Sequence, residues 1–313
     1  MSGSAGVKNG LMMFQRTVQQ GVRCSGIGLH TGKPVAADIR PAEADRGILF
    51  RRVDLPGMPE IPARFDLGTD FTLGTTLRHP DGAASVATVE HLMAALAGLG
   101  IDNAVVDVDG PEVPAVDGSA APFVALLRRA GLRTLGQPRR AIRVLKPVVL
   151  SEGSKSVALE PAATFSVSVT IDFENPVIGQ QTCTFTPSVD DFGSQLAPAR
   201  TFGLLQEVDW MRRQGLALGG SLDNAIVING NTVMNQDGLR FVDEFARHKV
   251  LDALGDLALA GAPLQARFLG NRSGHALNNR LLHALFADDS AWEWVDMAAR
   301  HGTADLPLTA AAL

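Results

Sequence analysis

Two rhythms of apolar and polar residues alternate along the chain. Short runs of period two begin near Thr17 and continue through PVAADIR and GILFRRV, separated by turns containing Gly, Pro and Asp. They predict strands. Over residues 88–100, TVEHLMAALAGLG changes to helical spacing and stops on Gly98 and Gly100. NAVVDVDGPEVP then reads as a strand and a turn. SAAPFVALLRRAGL predicts a second helix, with Ser119 as N-cap, Pro122 in the first turn and Gly131 behind it.

The pattern restarts beyond GQPRR at 136–140, the expected boundary between halves. RVLKPVVL, SVALEP and TFSVSVTIDF are strand-like and rich in Val, Ile and Phe. EVDWMRRQG predicts a short helix, and NAIVING and TVMNQ predict strands. FARHKVLDALGDLALAG is the second half's main helix, closed by Gly261 and Pro263, and HALNNRLLHALFA is another. Each half thus runs strands first, then helices with a strand between them. That order predicts α+β layering rather than regular βαβ alternation. The expected divisions are a disordered lead at 1–13, an N-terminal domain at 14–138, a C-terminal domain at 139–290 and a frayed tail at 291–313.

Composition narrows the function. Apolar residues make up 46% and charged residues 19% of the 313, enough apolar content for two cores. The formal charge of −5 builds no basic footprint, and 14 Phe, 3 Trp and no Tyr make poor stacking platforms, so nucleic acid is excluded as a partner. Cys24 and Cys183 are far apart and form no CxxC, which reads as two reduced thiols. The apolar run near the N-terminus is too short for a signal peptide, and no stretch approaches a membrane span of ~20 apolar residues. A cytoplasmic protein is the expectation, which leaves room for a substrate that is partly lipid.

The candidate chemistry lies in three segments. In FARHKVLDALGD, His248, Asp252 and Asp256 follow at four-residue steps on one helix face, with Lys249 beside them. Val250, Leu251, Leu254, Leu257 and Ala258 occupy the other side. Asp252 and Asp256 are like charges one turn apart, mildly destabilising unless a cation joins them. Taken alone, such a face is more often solvated than functional. Glu90 and His91 open a helix that is otherwise apolar nearly all round and therefore buried, so both need partners. The helix dipole accounts for Glu90 but not for His91. SGHALNN supplies His275. Two histidines and a carboxylate suffice for a catalytic Zn²⁺ with a position left open for water, and the remaining Glu, His and Asp are proton-moving types. Other motifs fail: GIGLHTGK fits neither dinucleotide nor P-loop patterns, DVDGPE lacks the further ligands of a calcium loop, and GxSxG and HExxH are absent.

In order along the chain, GLHTGK, TVEHLMAALAGLGIDNAVVDVDGPEVPAVDGSAAPF, ARTFG, GLRFVDEFARHKVLDALGDL and SGHALNN closely resemble the UDP-3-O-acyl-N-acetylglucosamine deacetylases. These are zinc amidases at the committed step of lipid A synthesis in Gram-negative bacteria. The resemblance runs from about Gln15 to about Ala287. It implies two similar α+β domains whose helices pack together between two sheets. It implies metal ligation by His91, His248 and Asp252, with Glu90 as general base, His275 as general acid and Asp256 orienting it. Thr201 helps polarise the amide carbonyl, Phe202 lines the sugar site, and Lys249 binds near the reacting group. Residues from about 202 to 224 match an insert that shelters the substrate's acyl chain. Some members carry Lys before SGH where this chain has Arg272, a planar fork that keeps the charge and would face the diphosphate. The implied partner is the acylated UDP-GlcNAc substrate, with a monomeric enzyme and at most transient contact with a membrane surface. Fe²⁺ is the alternative metal. Two other readings compete: a non-haem Fe(II) enzyme using the same donor triad, and a non-catalytic binder of acylated sugar nucleotides.

Overall fold

A computed structural model describes residues 14–297. The expected disordered lead at 1–13 and the tail beyond 297 lie outside the described residues. The first half is built on a five-stranded sheet: β1 (Val22–Ile27), β2 (Pro34–Pro41), β3 (Ile48–Arg52), β4 (Glu60–Pro62) and β5 (Ala104–Val108). Its spatial order is β1-β2-β5-β3-β4, with β5 antiparallel to β2 and parallel to β3. The helices of this half are α1 (Glu90–Gly98) and α2 (Ala121–Ala130). Ser119 is not the N-cap of α2. That position falls on Ala120, and the Ser119 hydroxyl instead accepts the Ala121 N–H at 3.2 Å.

GQPRR is not a loose linker. Leu132–Pro138 is a strand paired antiparallel with Phe14–Val18, and the second sheet starts at once with β6 (Arg140–Val144). The sheet continues with β7 (Val148–Glu152), β8 (Lys155–Pro161), β9 (Ser166–Asp172), β10 (Gln180–Phe185), β11 (Leu264–Asn271) and β12 (Trp292–Asp296). Strand β11 is its centre, antiparallel to β8 and parallel to β9 and β6. Strands β8, β9 and β11 bury alternate residues, the period-two signature of a sheet with one face on a core. Strand β12 corrects the expected tail at 291. It pairs antiparallel with β6, and Trp292 packs edge-on against Phe286, so burial continues past residue 290.

Between Arg200 and Val233 lies a small separate unit. Phe202–Leu204 pairs parallel with Ile226–Asn229, with α3 (Leu205–Arg213) as the crossover, and Thr232–Val233 adds an antiparallel edge. The other long helices are α4 (Glu244–Leu257) and α5 (His275–Phe286). Helix α4 packs on β9 and β10, on α5 and, most extensively, on α1 from the other half. This is an α+β architecture of two sheet-and-helix halves joined through their helices, with one apolar core running from Val18 to Ala291.

At the α1–α4 crossing Gly255 faces the backbone of Glu90. A Cβ at Gly255 would overlap the Glu90 carbonyl oxygen, so only glycine permits this approach. The close crossing sets the first turn of α1, with Glu90 and His91, beside the stretch of α4 that carries Asp252 and Asp256.

A candidate metal centre at the helix crossing

The polar stripe of α4 is not solvated. His248 is 2% exposed, Asp252 4% and Asp256 2%, and on α1 Glu90 is 3% and His91 7% exposed. The α4 face that reads as solvated when taken alone meets the first turn of α1, itself expected to be buried. His91, His248 and Asp252 each offer one ligand atom, all within 4.8 Å of one another. Asp252 Oδ1 lies 3.4 Å from His91 Nε2 and 3.2 Å from His248 Nε2, and the two imidazole rings stand edge to face at 4.9 Å.

Tautomers follow from the outer contacts. His248 Nδ1 lies 3.1 Å from the Ala199 carbonyl, which can only accept, so the proton sits on Nδ1 and the Nε2 lone pair turns inward. Burial pushes the His248 imidazole down to about 3, which keeps it neutral and able to ligate. Burial disfavours the Asp252 carboxylate too, but the positive charge of Lys249 and the hydrogen-bonding His91 help hold it well below the usual carboxylate range. Asp252 Oδ2 accepts a hydrogen bond from Lys249 Nζ at 2.8 Å. Asp252 Oδ1 is buried and accepts none. An orphaned carboxylate oxygen costs about 1–3 kcal/mol or more, and a cation bound by it and the two Nε2 atoms removes that deficit. The donor set, two imidazoles and one carboxylate, suits an open catalytic site.

His275, the first residue of α5, borders this cluster with Nε2 at 3.9 Å from Asp252 Oδ2. Its Nδ1 donates to Asp256, with Oδ2 at 2.9 Å and Oδ1 at 3.1 Å. Burial and its place at a helix N-terminus both oppose a positive charge on this ring. Asp256, backed by Asp252 and Glu90, outweighs them and raises it to about 9. The Asp256 carboxylate thus favours the protonated form of this ring. Glu90 opens α1, and its Oε2 accepts the Thr75 N–H at 2.8 Å. Just ahead of it, Thr88 holds φ at +58°, an uncommon strain for a β-branched residue and one that clusters at functional sites.

Thr201 and Phe202 line a cleft of about 150 Å³ with Lys249, Glu207, Phe173 and Ile178. Phe202 packs on Phe245 at 4.9 Å and reaches towards His248 at 6.2 Å, and Lys249 Nζ lies over its ring at 5.9 Å. Lys249 stays charged: burial opposes this, but Asp252 outweighs it. Arg272 stands apart from the cluster, in a left-handed backbone conformation (φ +52°), with NH1 at 3.6 Å from Asp172 Oδ2. Residues with no role assigned from sequence also take part. Asn278 Nδ2 donates to Asp256 Oδ2 at 2.9 Å, and the Thr75 hydroxyl donates to Asp256 Oδ1 at 2.6 Å. Asn278 follows His275 by three residues and so shares its helix face, a signal that was available. Thr75 has no such local signal, because it meets Asp256 across 181 residues of sequence.

Curated relatives named UDP-3-O-acyl-N-acetylglucosamine deacetylase include one from Acidithiobacillus ferrooxidans, 50% identical over 306 residues that cover 96% of this chain and all of that protein. The one from Legionella pneumophila (strain Corby) is 49% identical, covering 90% of this chain and 93% of its own length. The one from Stenotrophomonas maltophilia (strain K279a) is 47% identical, covering 91% and 94%. The family profile described as UDP-3-O-acyl N-acetylglycosamine deacetylase matches residues 15–287, from the first described strand through α5, and on that match together with near full-length relatives the chain belongs to this family.

Proposed function

We propose that this chain hydrolyses the N-acetyl group of UDP-3-O-acyl-N-acetylglucosamine, releasing acetate, the committed step of lipid A biosynthesis. The observation that carries the reading is Asp252 Oδ1, buried and unpartnered between two imidazole Nε2 atoms, with the His275–Asp256 pair at the border of the cluster. His91, His248 and Asp252 would hold a divalent cation, Zn²⁺ by the donor set and Fe²⁺ as the alternative. When bound, such an ion supplies Lewis acidity to an acetamide carbonyl and acidifies water at the site.

The chain's own groups handle the protons. Glu90 takes one from the attacking water as its oxygen bonds to the acyl carbon. The Thr201 hydroxyl donates to the carbonyl oxygen as charge grows there; losing one such donor typically costs about 2.7–4 kcal/mol. His275 gives its proton to the nitrogen as the C–N bond breaks, so an amine departs and acetate remains. Asp256 keeps that imidazole cationic and correctly turned. Phe202 offers a ring face to the sugar, Lys249 a charge near the reacting group, and Arg272 a charge to the diphosphate. The insert at about 202–224 shelters the acyl chain, with Trp210, Leu218 and Leu222 exposed on it. A sugar nucleotide with an acyl chain fits a monomeric enzyme of the cytoplasm that touches a membrane surface only transiently.

Metal analysis combined with an acetate-release assay tests the reading. The wild type is expected to carry metal in stoichiometric amount and to release acetate without oxygen, whereas His248→Ala loses both metal and turnover. Acetate release that needs oxygen would favour the Fe(II) enzyme. Tight substrate binding without acetate would favour the binder.

A further inference from the structure

Thr75 belongs to no motif, yet it touches both arms of the site. It is fully buried, between the strands Gly68–Asp70 and Thr76–Arg78 of the first half. Its N–H donates to Glu90 Oε2 at 2.8 Å, and its carbonyl accepts the Val89 N–H at 3.2 Å, so its peptide groups grip the start of α1. Its hydroxyl donates to Asp256 Oδ1 at 2.6 Å in the other half. An ionised carboxylate only accepts, so the hydroxyl proton is committed to Asp256. Gly74 completes the seat, since a Cβ there would come within 2.8 Å of Glu90 Oε1.

We propose that Thr75 is a positioning residue: one buried strut that fixes the Glu90 carboxylate relative to the Asp256–His275 pair. The inference rests on the hydrolase reading, in which Glu90 and His275 move protons for the same amide. Glu90 sits on α1 and His275 on α5, from separate halves of the chain. Asp256 already accepts from His275 and Asn278. The Thr75 hydroxyl is the donor that ties this group to the residue seating the base. Displacement of about 1 Å in a reacting group can cost a hundredfold in rate.

Thr75→Val keeps the shape and removes the O–H, and Thr75→Ser restores it. With acetate release as the assay, Thr75→Val is expected to lower kcat about 10- to 100-fold, the size of one lost hydrogen bond to a charged group. KM and bound metal stay at wild-type values, Tm falls by a few degrees because a buried hydrogen bond is lost, and Thr75→Ser recovers activity to within a few fold. In an Asp256→Ala background the Val substitution loses most of its effect, because the partner is already gone. A second readout needs no turnover: the downfield His275 Nδ1–H resonance in the protein as isolated shifts in Thr75→Val and returns in Thr75→Ser. Wild-type kcat in Thr75→Val, or the same loss with and without Asp256, overturns the strut. If the wild type itself releases no acetate, the hydrolase reading fails instead, and an unmoved resonance then rejects the strut separately.

Discussion

Helix α4 and the insert carrying α3 face the same site and are built by opposite rules. On α4 every residue except Arg247 and Lys249 is buried, including His248, Asp252 and Asp256, whereas α3 buries none. Ionisable groups on α4 are held by neighbours on both sides: Lys249 and His275 at Asp252, and Thr75, Asn278 and His275 at Asp256. The insert instead exposes Trp210, Leu218 and Leu222 and is stitched to the rest by loop contacts such as Leu218 N–H to the His30 carbonyl at 3.2 Å. Chemistry that needs fixed distances is placed where packing leaves no freedom. The insert surface tolerates adjustment, because few buried contacts fix it.

Three substitutions sharpen this contrast. The largest effect is expected from Gly255→Ala, which forces a methyl group into the Glu90 carbonyl at the α1–α4 crossing. Overpacking of a core costs about 1–3 kcal/mol, here read as a lower Tm together with weaker metal retention, because His91 moves away from His248 and Asp252. A variant as stable and as metal-rich as wild type would show that the crossing is loose.

Asp256→Asn should matter less to folding and more to pH dependence. His275 must be protonated to act as the acid, so activity is present below its pKa and lost as pH rises through it. Asp256 is the main support for the raised value near 9. Removing that charge is expected to move the alkaline limb of the kcat profile to lower pH, with the acidic limb unmoved. An unchanged alkaline limb would assign it to another group.

The smallest change belongs to the insert. Trp210 is 53% exposed. Trp210→Ala is expected to alter stability by no more than about 0.5 kcal/mol, to leave kcat intact, and to raise KM only for substrates with a long acyl chain. A fall in kcat with short-chain substrate would show that the insert helps to position the reacting groups.

Much of this was legible in advance, for identifiable reasons. Period-two runs marked the strands of both sheets, and the four-residue step of His248, Asp252 and Asp256 put them on one face whatever that face meets. The polarity of α4 misleads when taken alone, since it reads as solvated and turns out to be buried against α1. The restart at GQPRR is visible, but not that Leu132–Pro138 pairs back onto Phe14–Val18. Strand β12 escaped because TrpGluTrpValAsp is short and breaks the alternation at Trp294 and Val295, and its strand state depends on the free edge of β6.

Local sequence thus settled the residue types, their helical spacing and the α+β order of elements, because propensity and periodicity act over a few residues. Only the tertiary structure decided that His91 meets Asp252, that one carboxylate oxygen is left unpartnered, and that Thr75 joins Glu90 to Asp256. Those contacts span up to 181 residues. They exist because a glycine lets two helices from different halves come close enough to bury their polar faces together, a distance that no short window of sequence contains.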